Sequence, residues 1–516
     1  MNERYSPLLK PQLTGRVADA LVLATSEADV VASLAAAVRH RVFVTTRGAG
    51  TGNYGQAAPP PSSSALCDLE PPLYFLFASC VSFFIGVKLC DLEDHARQHG
   101  WELRQHPSTR RTASVGGFVA GGSTGHGALL HGGLSEAGAP LGSDGAVLGL
   151  RVVTAEDQTP RVLELSGRDV FPVVHAYGTN GVITSVELPL ARAQAWSDVT
   201  AAFPSLDAAA AFALDVANAP AVVKRGISVF QAPIAHNAHG RDGAMAAGGD
   251  ARHVAMVQCS PPGVGPVERL CAEHGGLTTR VVKATEAPRP MYEFGWNHTT
   301  LHALRADKSV TYLQCVLEPS SALGLLRRVS EEFDPSELLQ HLEVVNFGGR
   351  AGFASLALLW PKGETGEAAN QRLREILSWH EANGIPVFDP HTHVLEDGGM
   401  KVTDWAQLGF KRRVDPHGLL NPGKMRAWEE QSATADTSDP RGAFAASYRI
   451  ADTSAVGSGP NVATSATAAD ASSTAADSFG THASSPGSGR RRPRSRLWGE
   501  WSTADFAEAD LSQAVR

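Results

Sequence analysis

Arg47–Gln56 reads RGAGTGNYGQ, and its interpretation decides the fold. Gly50, Gly52 and Gly55 space a G-x-G-x-x-G, the dinucleotide fingerprint of a Rossmann unit. That site needs a strand, the loop and then a helix, because the helix N-terminus supplies the amides and the dipole that hold a pyrophosphate. Arg41–Thr46, RVFVTT, provides the strand. No helix can follow, because Gly55 leads through Gln56, Ala57 and Ala58 into Pro59, Pro60 and Pro61. An NAD site of Rossmann type is therefore set aside. The glycines still let backbone approach a bulky anion, and successive amides in such turns form anion-binding concavities without a helix.

Two more glycine clusters follow. Val115–Gly133 reads VGGFVAGGSTGHGALLHGG and Ala176–Thr184 reads AYGTNGVIT. Each lies between strand-like runs. Upstream, Ala20–Ala24 reads as a strand, Ser26 as an N-cap with Asp29 three residues on, and the stretch to His40 as a helix. Residues 86–100 read as a helix stopped by Gly100, and 146–166 as a hairpin. Residues 197–380 mix strand-like and helical runs, the pattern of an α+β domain.

The bulk numbers exclude several classes. The 516 residues carry a net charge of −8, and the body has no basic stripe, so no nucleic-acid partner is expected. The six cysteines form no C-x-x-C, which argues against a zinc knuckle or a disulfide scaffold. The N-terminus shows no apolar segment behind its charges, so a cytoplasmic location is expected. Leu73–Val87, LYFLFASCVSFFIGV, is uncharged but short for a membrane span, and it reads as one or two buried strands.

Four stretches together resemble the FAD-linked oxidases of the vanillyl-alcohol oxidase / p-cresol methylhydroxylase (PCMH) type. These are RGAGTGNYGQ at 47–56, PSTRRTASVGGFVAGGSTG at 107–125, YGTNGVIT at 177–184 and KRRVDPHGLLNPGK at 411–424. The resemblance implies an α+β fold: a PCMH-type FAD-binding domain of two α/β subdomains over 10–192, a substrate cap over 193–383, and a return to the first domain over 384–428. It implies FAD held by Arg47, Gly48, Ala49, Gly50, Thr51, Gly52, Asn53, Tyr54 and Gln56. The second segment contributes Pro107, Ser114, Val115, Gly116, Gly117, Gly121, Gly122, Ser123 and Gly125. Gly181, Val182 and Ile183 add a third edge, and Asn421 and Lys424 approach from the return. Where some relatives tether FAD through a histidine in an R-x-G-G-H loop, this chain has Thr51, so FAD is expected to be non-covalent.

The implied reaction is oxidation of an alcohol or 2-hydroxy acid at the flavin N5, with oxygen or an unknown carrier as electron acceptor. His298 and His393 are candidate bases; Tyr312 and Arg350 are further catalytic candidates, with Arg305 or Arg350 suited to a carboxylate. His391 and His393 would share a face on a strand, with Asp389 nearby, but two histidines do not make a metal site, and none is expected. The family pattern lapses over 57–85, where two strands of the first domain belong. If those strands were missing, the protein would bind flavin poorly or without turnover. Residues 429–497 have a low-complexity composition expected to be disordered. Trp498–Arg516 reads as a possible short helix and resembles the opening of creatininase-type amidohydrolases, with no metal-ligand segment behind it.

Overall fold

A computed structural model describes residues 5–60, 64–69, 74–77, 80–84, 86–132, 146–156, 159–237, 252–287, 289–360, 367–398 and 403–434. The expectations for 435–497 and 498–516 lie outside these residues. All of the described residues fall within one compact unit.

The N-terminal part runs β1 (Ala20–Ala24), α1 (Glu27–His40), β2 (Phe43–Arg47), β3 (Ser64–Leu69), β4 (Tyr74–Phe77), β5 (Cys80–Phe84), α2 (Leu89–Gln98), β6 (Trp101–Leu103), α3 (Val115–Gly121), α4 (Ala128–His131), β7 (Gly149–Val153), β8 (Val162–Ser166) and β9 (Val182–Arg192). The start of α1 is fixed by a reciprocal capping box. Asp29 N donates to Ser26 Oγ at 3.2 Å, and Ser26 N donates to Asp29 Oδ2 at 2.9 Å. Its inner face, Val30, Leu34, Ala37 and Val38, packs with Val44, Val153 and Leu420.

Two sheets build this part. One is parallel, in the order β1-β3-β2; the other runs β4-β5-β9-β7-β8, with β6 also pairing β9. The expectation that 57–85 leaves strand partners missing is overturned. β3 lies between β1 and β2 with paired residues on both sides, and β5 pairs with β9 from Cys80 to Phe84. The apolar stretch read as strands thus forms β4 and β5. No helix of the described residues is long and apolar enough to cross a membrane.

The middle part runs β10 (Ser197–Phe203), α5 (Leu206–Asn218), β11 (Lys224–Phe230), α6 (Ile234–Asn237), β12 (His253–Cys259), α7 (Val264–Glu273), β13 (Leu277–Lys283), α8 (Asn297–Ala306), β14 (Thr311–Leu317), α9 (Ala322–Glu332), β15 (Leu338–Phe347), β16 (Arg350–Leu359), α10 (Glu367–Ala382) and β17 (Val387–Phe388). Its strands form one eight-stranded sheet ordered β13-β10-β12-β11-β15-β16-β14-β17. One core joins this sheet to Phe212, Val267, Leu326 and Ile376 from α5, α7, α9 and α10. A second core gathers Phe230, Met256, Phe294, Tyr312 and Leu358, with Tyr54 of the first glycine loop packed against it.

The two parts meet through a buried ion network. Arg225 on β11 donates to Leu103 O at 2.7 Å and lies 3.6 Å from Glu93 and 3.9 Å from Glu102. Glu93 is fully buried; burial alone would raise its pKa, but Arg225, Arg97 and Arg110 outweigh it and hold it below the ordinary value.

The chain then returns through α11 (Trp405–Val414) and α12 (Arg426–Thr434). α12 carries six residues into the expected low-complexity stretch. Glu429 anchors it by accepting Gly423 N at 2.7 Å, and Trp428 packs over Lys411, whose Nζ is 5.5 Å from the ring centre.

Candidate functional site: a glycine-lined cleft and the polar patch beside it

β2 ends at Arg47 and, as its prolines require, no helix follows. The loop instead turns back against α3. Gly48 makes that approach possible: a Cβ there would sit 2.0 Å from Ser114 Oγ. Ser114 is the N-cap of α3, and its Oγ accepts from both Gly117 N and Ala49 N at 3.3 Å. One hydroxyl therefore caps the helix and holds the first loop. The second glycine cluster was read as a helix-free concavity; it opens instead with this capped helix. The third cluster closes the edge at Gly181, whose φ of 109° suits glycine and whose Cβ would lie 2.1 Å from Val152 Cγ1.

These three segments enclose a cleft of about 750 Å³. It brings together Arg47, Gly48, Ala49, Gly50, Thr51, Gly52, Gln56, Ser114, Gly116, Gly117, Gly121, Gly181, Val182 and Ile183. Thr46, Ala57, Ala120, Tyr177 and Gly178 also line it. Sequence reasoning did not single out Thr46 or Ala120; the only signal for Ala120 is its small size within a glycine-rich helix. Among the described residues that line the cleft, Arg47 carries the only formal charge. Its Nε is buried without a hydrogen-bond partner, a donor placed for an anion. Backbone amides brought close by glycine, together with this guanidinium, fit the pyrophosphate of FAD.

Val115 N donates to Val87 O at 3.0 Å, which seats the start of α3. Pro107, Gly122, Ser123 and Gly125 stand behind the cleft wall; at Gly125 a Cβ would be 2.1 Å from His106 O.

The return segment supports the cleft from behind. Asn421 accepts from Thr45 Oγ1 at 3.2 Å and donates through Nδ2 to Gln56 O at 2.9 Å and Tyr177 O at 2.5 Å. Its backbone N donates to Val44 O at 2.7 Å. Lys424 Nζ donates to Gly55 O at 2.7 Å. Burial, with Arg16 nearby, pushes the Lys424 ammonium well below its ordinary pKa. Both residues are thus engaged with backbone carbonyls of the loops. Lys411 is buried and bridges Thr179 O (2.8 Å), Leu420 O (3.0 Å) and Asp415 Oδ2 (2.5 Å). Asp415 accepts Leu419 N and Leu420 N at 2.9 and 2.8 Å.

Asn53 and Tyr54 reach out of the first loop to the middle sheet. Asn53 Nδ2 donates to Tyr312 Oη at 2.6 Å. Tyr54 Oη accepts from Gln314 Nε2 at 2.5 Å and Asn297 Nδ2 at 3.3 Å. Asn297 starts α8, whose entry is pinned by Trp296 N donating to Glu343 Oε1 at 2.6 Å. Burial raises the Tyr54 and Tyr312 hydroxyl pKa values.

The remaining catalytic candidates separate. His298 follows Asn297, with its Nδ1 3.7 Å from Glu293 Oε2. His393 takes a hydrogen bond from Arg16 Nη2 at 3.1 Å, and burial, with Lys424 and Arg16 close by, drives it down to about 2. It stays neutral and is a weak base. Arg350 is exposed at the β15–β16 hairpin tip. Tyr312 pairs with Leu358, so Arg350 lies eight residues along β16, about 26 Å away at the rise of a strand. Arg305 is exposed on α8.

His391 and His393 sit in bends rather than on a strand, so the shared face does not form. His391 bonds Ser6 Oγ through Nδ1 at 2.6 Å and Thr311 Oγ1 through Nε2 at 2.8 Å, which occupies both ring nitrogens. Among the described residues no group of three or more His, Cys, Asp or Glu side chains is placed to hold a metal.

No curated protein sequence matches the chain. Two solved structures of alkyldihydroxyacetonephosphate synthase, in P212121 and P1, superpose with TM-scores of 0.57 and 0.56. They are 13% and 14% identical, and each match covers 78% of this chain and 76% of the other. Residues 18–160 match the family model described as FAD binding domain. The chain thus carries a PCMH-type FAD-binding domain over residues 18–160, within an α+β fold shared with those structures.

Proposed function

We propose that the protein is an FAD-dependent oxidoreductase that oxidises an alcohol or 2-hydroxy acid, with FAD held non-covalently in the cleft. The observation that carries this reading is the convergence of three glycine segments around Arg47, whose Nε has no partner within the protein. Ala49 and Gly117 are held in place by Ser114, and the return segment fixes Gly55 and Gln56 from behind. No histidine or cysteine is among the described residues lining the cleft, which supports dissociable FAD.

When bound, FAD supplies a two-electron acceptor. The chain's own part is to orient the substrate and take its hydroxyl proton. Tyr54 and Tyr312 are placed to orient it. His298 is the base the geometry favours, because Glu293 stands beside it to stabilise the protonated ring.

The test is a flavin absorbance spectrum of the purified protein, followed by acid precipitation. Non-covalent FAD goes to the supernatant. Anaerobic mixing with alcohols, sugar acids and 2-hydroxy acids should bleach the flavin for at least one class, and admitting air separates oxygen from another carrier as acceptor. A protein that takes up no FAD on reconstitution sinks the proposal.

A further inference from the structure

The patch beside the cleft carries information on substrate class. Asn53, Tyr54, Asn297 and Gln314 are half-buried, so a ligand can reach them; Tyr312 is buried behind them. They come from both sides of the site. Asn53 and Tyr54 follow Gly52 of the cleft wall, and Asn297, Tyr312 and Gln314 belong to α8 and β14.

The hydrogen-bond inventory of the patch is unbalanced. Asn297 Oδ1 accepts from Gln314 Nε2 at 3.2 Å, and this fixes the orientation of both amides. Both amides then donate into the Tyr54 oxygen, and the Tyr312 hydroxyl bonds to it as well. Donors converge on one phenol oxygen, and among the described residues no acceptor takes the Tyr54 proton. A half-buried donor without a partner favours a ligand that brings an oxygen acceptor.

The charges around the patch limit what that ligand can be. The nearest ionised group is Asp389, a carboxylate whose Oδ1 accepts His391 N at 2.9 Å while the His391 ring packs edge-on to Tyr312 at 5.6 Å. The arginines suited to a carboxylate, Arg350 and Arg305, are exposed and elsewhere, and Lys424 is turned to the Gly55 carbonyl. A carboxylate brought here would meet like charge with no cation to offset its desolvation, a penalty of several kcal/mol. An uncharged hydroxyl accepts from Tyr54 at no such penalty.

We infer that the site takes an uncharged hydroxyl compound, an alcohol or polyol, recognised by the amide-and-phenol patch of Asn53, Tyr54, Asn297, Tyr312 and Gln314, and that 2-hydroxy acids are excluded. The inference rests on the flavoenzyme reading above.

The experiment uses the full chain loaded with FAD, held anaerobically, and matched pairs that differ by a carboxylate: glycerol with glycerate, and erythritol with erythronate. Binding is read as a perturbation of the flavin absorption band, and reduction as its bleaching. The expected result is binding and bleaching by the neutral member, with the acid at least tenfold weaker. Tyr312→Phe should weaken the neutral ligand about tenfold, the loss of one hydrogen bond, with FAD content unchanged. Asn297→Ala gives the same readout if Tyr312→Phe does not fold. Acids binding as tightly as alcohols overturn the inference, as do variants that leave neutral binding unmoved. FAD that binds but responds to neither class overturns it while leaving the cofactor assignment standing. A chain that takes up no FAD overturns the flavoenzyme reading itself.

Discussion

Replacing Gly48 with alanine tests whether close approach, rather than loop flexibility, is why glycine stands there. The new Cβ would lie 2.0 Å from Ser114 Oγ and 3.2 Å from Ser114 Cβ, so the hydroxyl must leave its position. Its departure removes the α3 cap, about 1 kcal/mol, and the bond from Ala49 N, about another 1 kcal/mol. Overpacking adds roughly 1–3 kcal/mol. Ser114→Ala alone loses the same two bonds, about 2 kcal/mol, with no clash. In the double variant those bonds are lost once, and the 2.0 Å contact is gone because its oxygen is gone. The double variant should therefore be about 2 kcal/mol more stable than the sum of the single effects predicts. Urea titration of the four apoproteins measures this cycle, and FAD titration followed by fluorescence measures the same coupling in affinity, where about 1.4 kcal/mol is tenfold. Strict additivity in both would refute the close-approach account, because two residues that share one hydroxyl position cannot act independently.

Further outcomes follow from the buried charges. Lys411→Met leaves Asp415 as an unpaired buried carboxylate and should cost about 3–5 kcal/mol in urea titration, with Asp415→Asn in the same chain recovering part of it. Burial, with Arg225 and Arg110 nearby, lowers His126 to about 3. The unfolded chain then binds the proton and the folded one does not, so this contribution is complete above pH 6.5 and is lost as pH falls toward 3. His126→Asn should flatten the stability profile across that window by up to about 1.4 kcal/mol per pH unit, read from urea midpoints at pH 7, 6, 5 and 4. Arg47→Ala should weaken FAD binding at least tenfold, about 1.4 kcal/mol, and leave the apoprotein's melting temperature within a few degrees. An unchanged FAD affinity would show that the guanidinium does not meet the cofactor.

Much of this arrangement is local and therefore legible in the sequence. Ser26 and Asp29 announce the start of α1 because a capping box needs only neighbouring residues. Pro59 to Pro61 remove the Rossmann helix by the same local logic, and the apolar residues at 74–84 pair as strands. The parts that were not legible depend on contacts distant in sequence. Asn421 and Lys424 were read as approaching the flavin, but their partners are the carbonyls of Gln56, Tyr177 and Gly55. Arg350 looked suited to a carboxylate until the ten-residue strands β15 and β16 carried it out to a hairpin tip. His391 and His393 looked alike by spacing, yet one is bonded between two hydroxyls and the other sits beside Arg16 and Lys424. Side-chain direction at these positions is set by tertiary packing, which spacing does not encode.

The bonds from the return segment have a consequence for biosynthesis. Asn421 reaches Gln56 across 365 positions, and Lys424 reaches Gly55 across 369. A ribosome adding about 5–20 residues per second makes the first loop roughly 20–70 s before it makes these partners. During that interval the cradle for the cofactor has one wall without its backing. Chains truncated before residue 415 should therefore collect as a species that forms α1 and the β7–β8 hairpin yet does not retain FAD, and the cofactor is acquired only as the last segment of the fold closes.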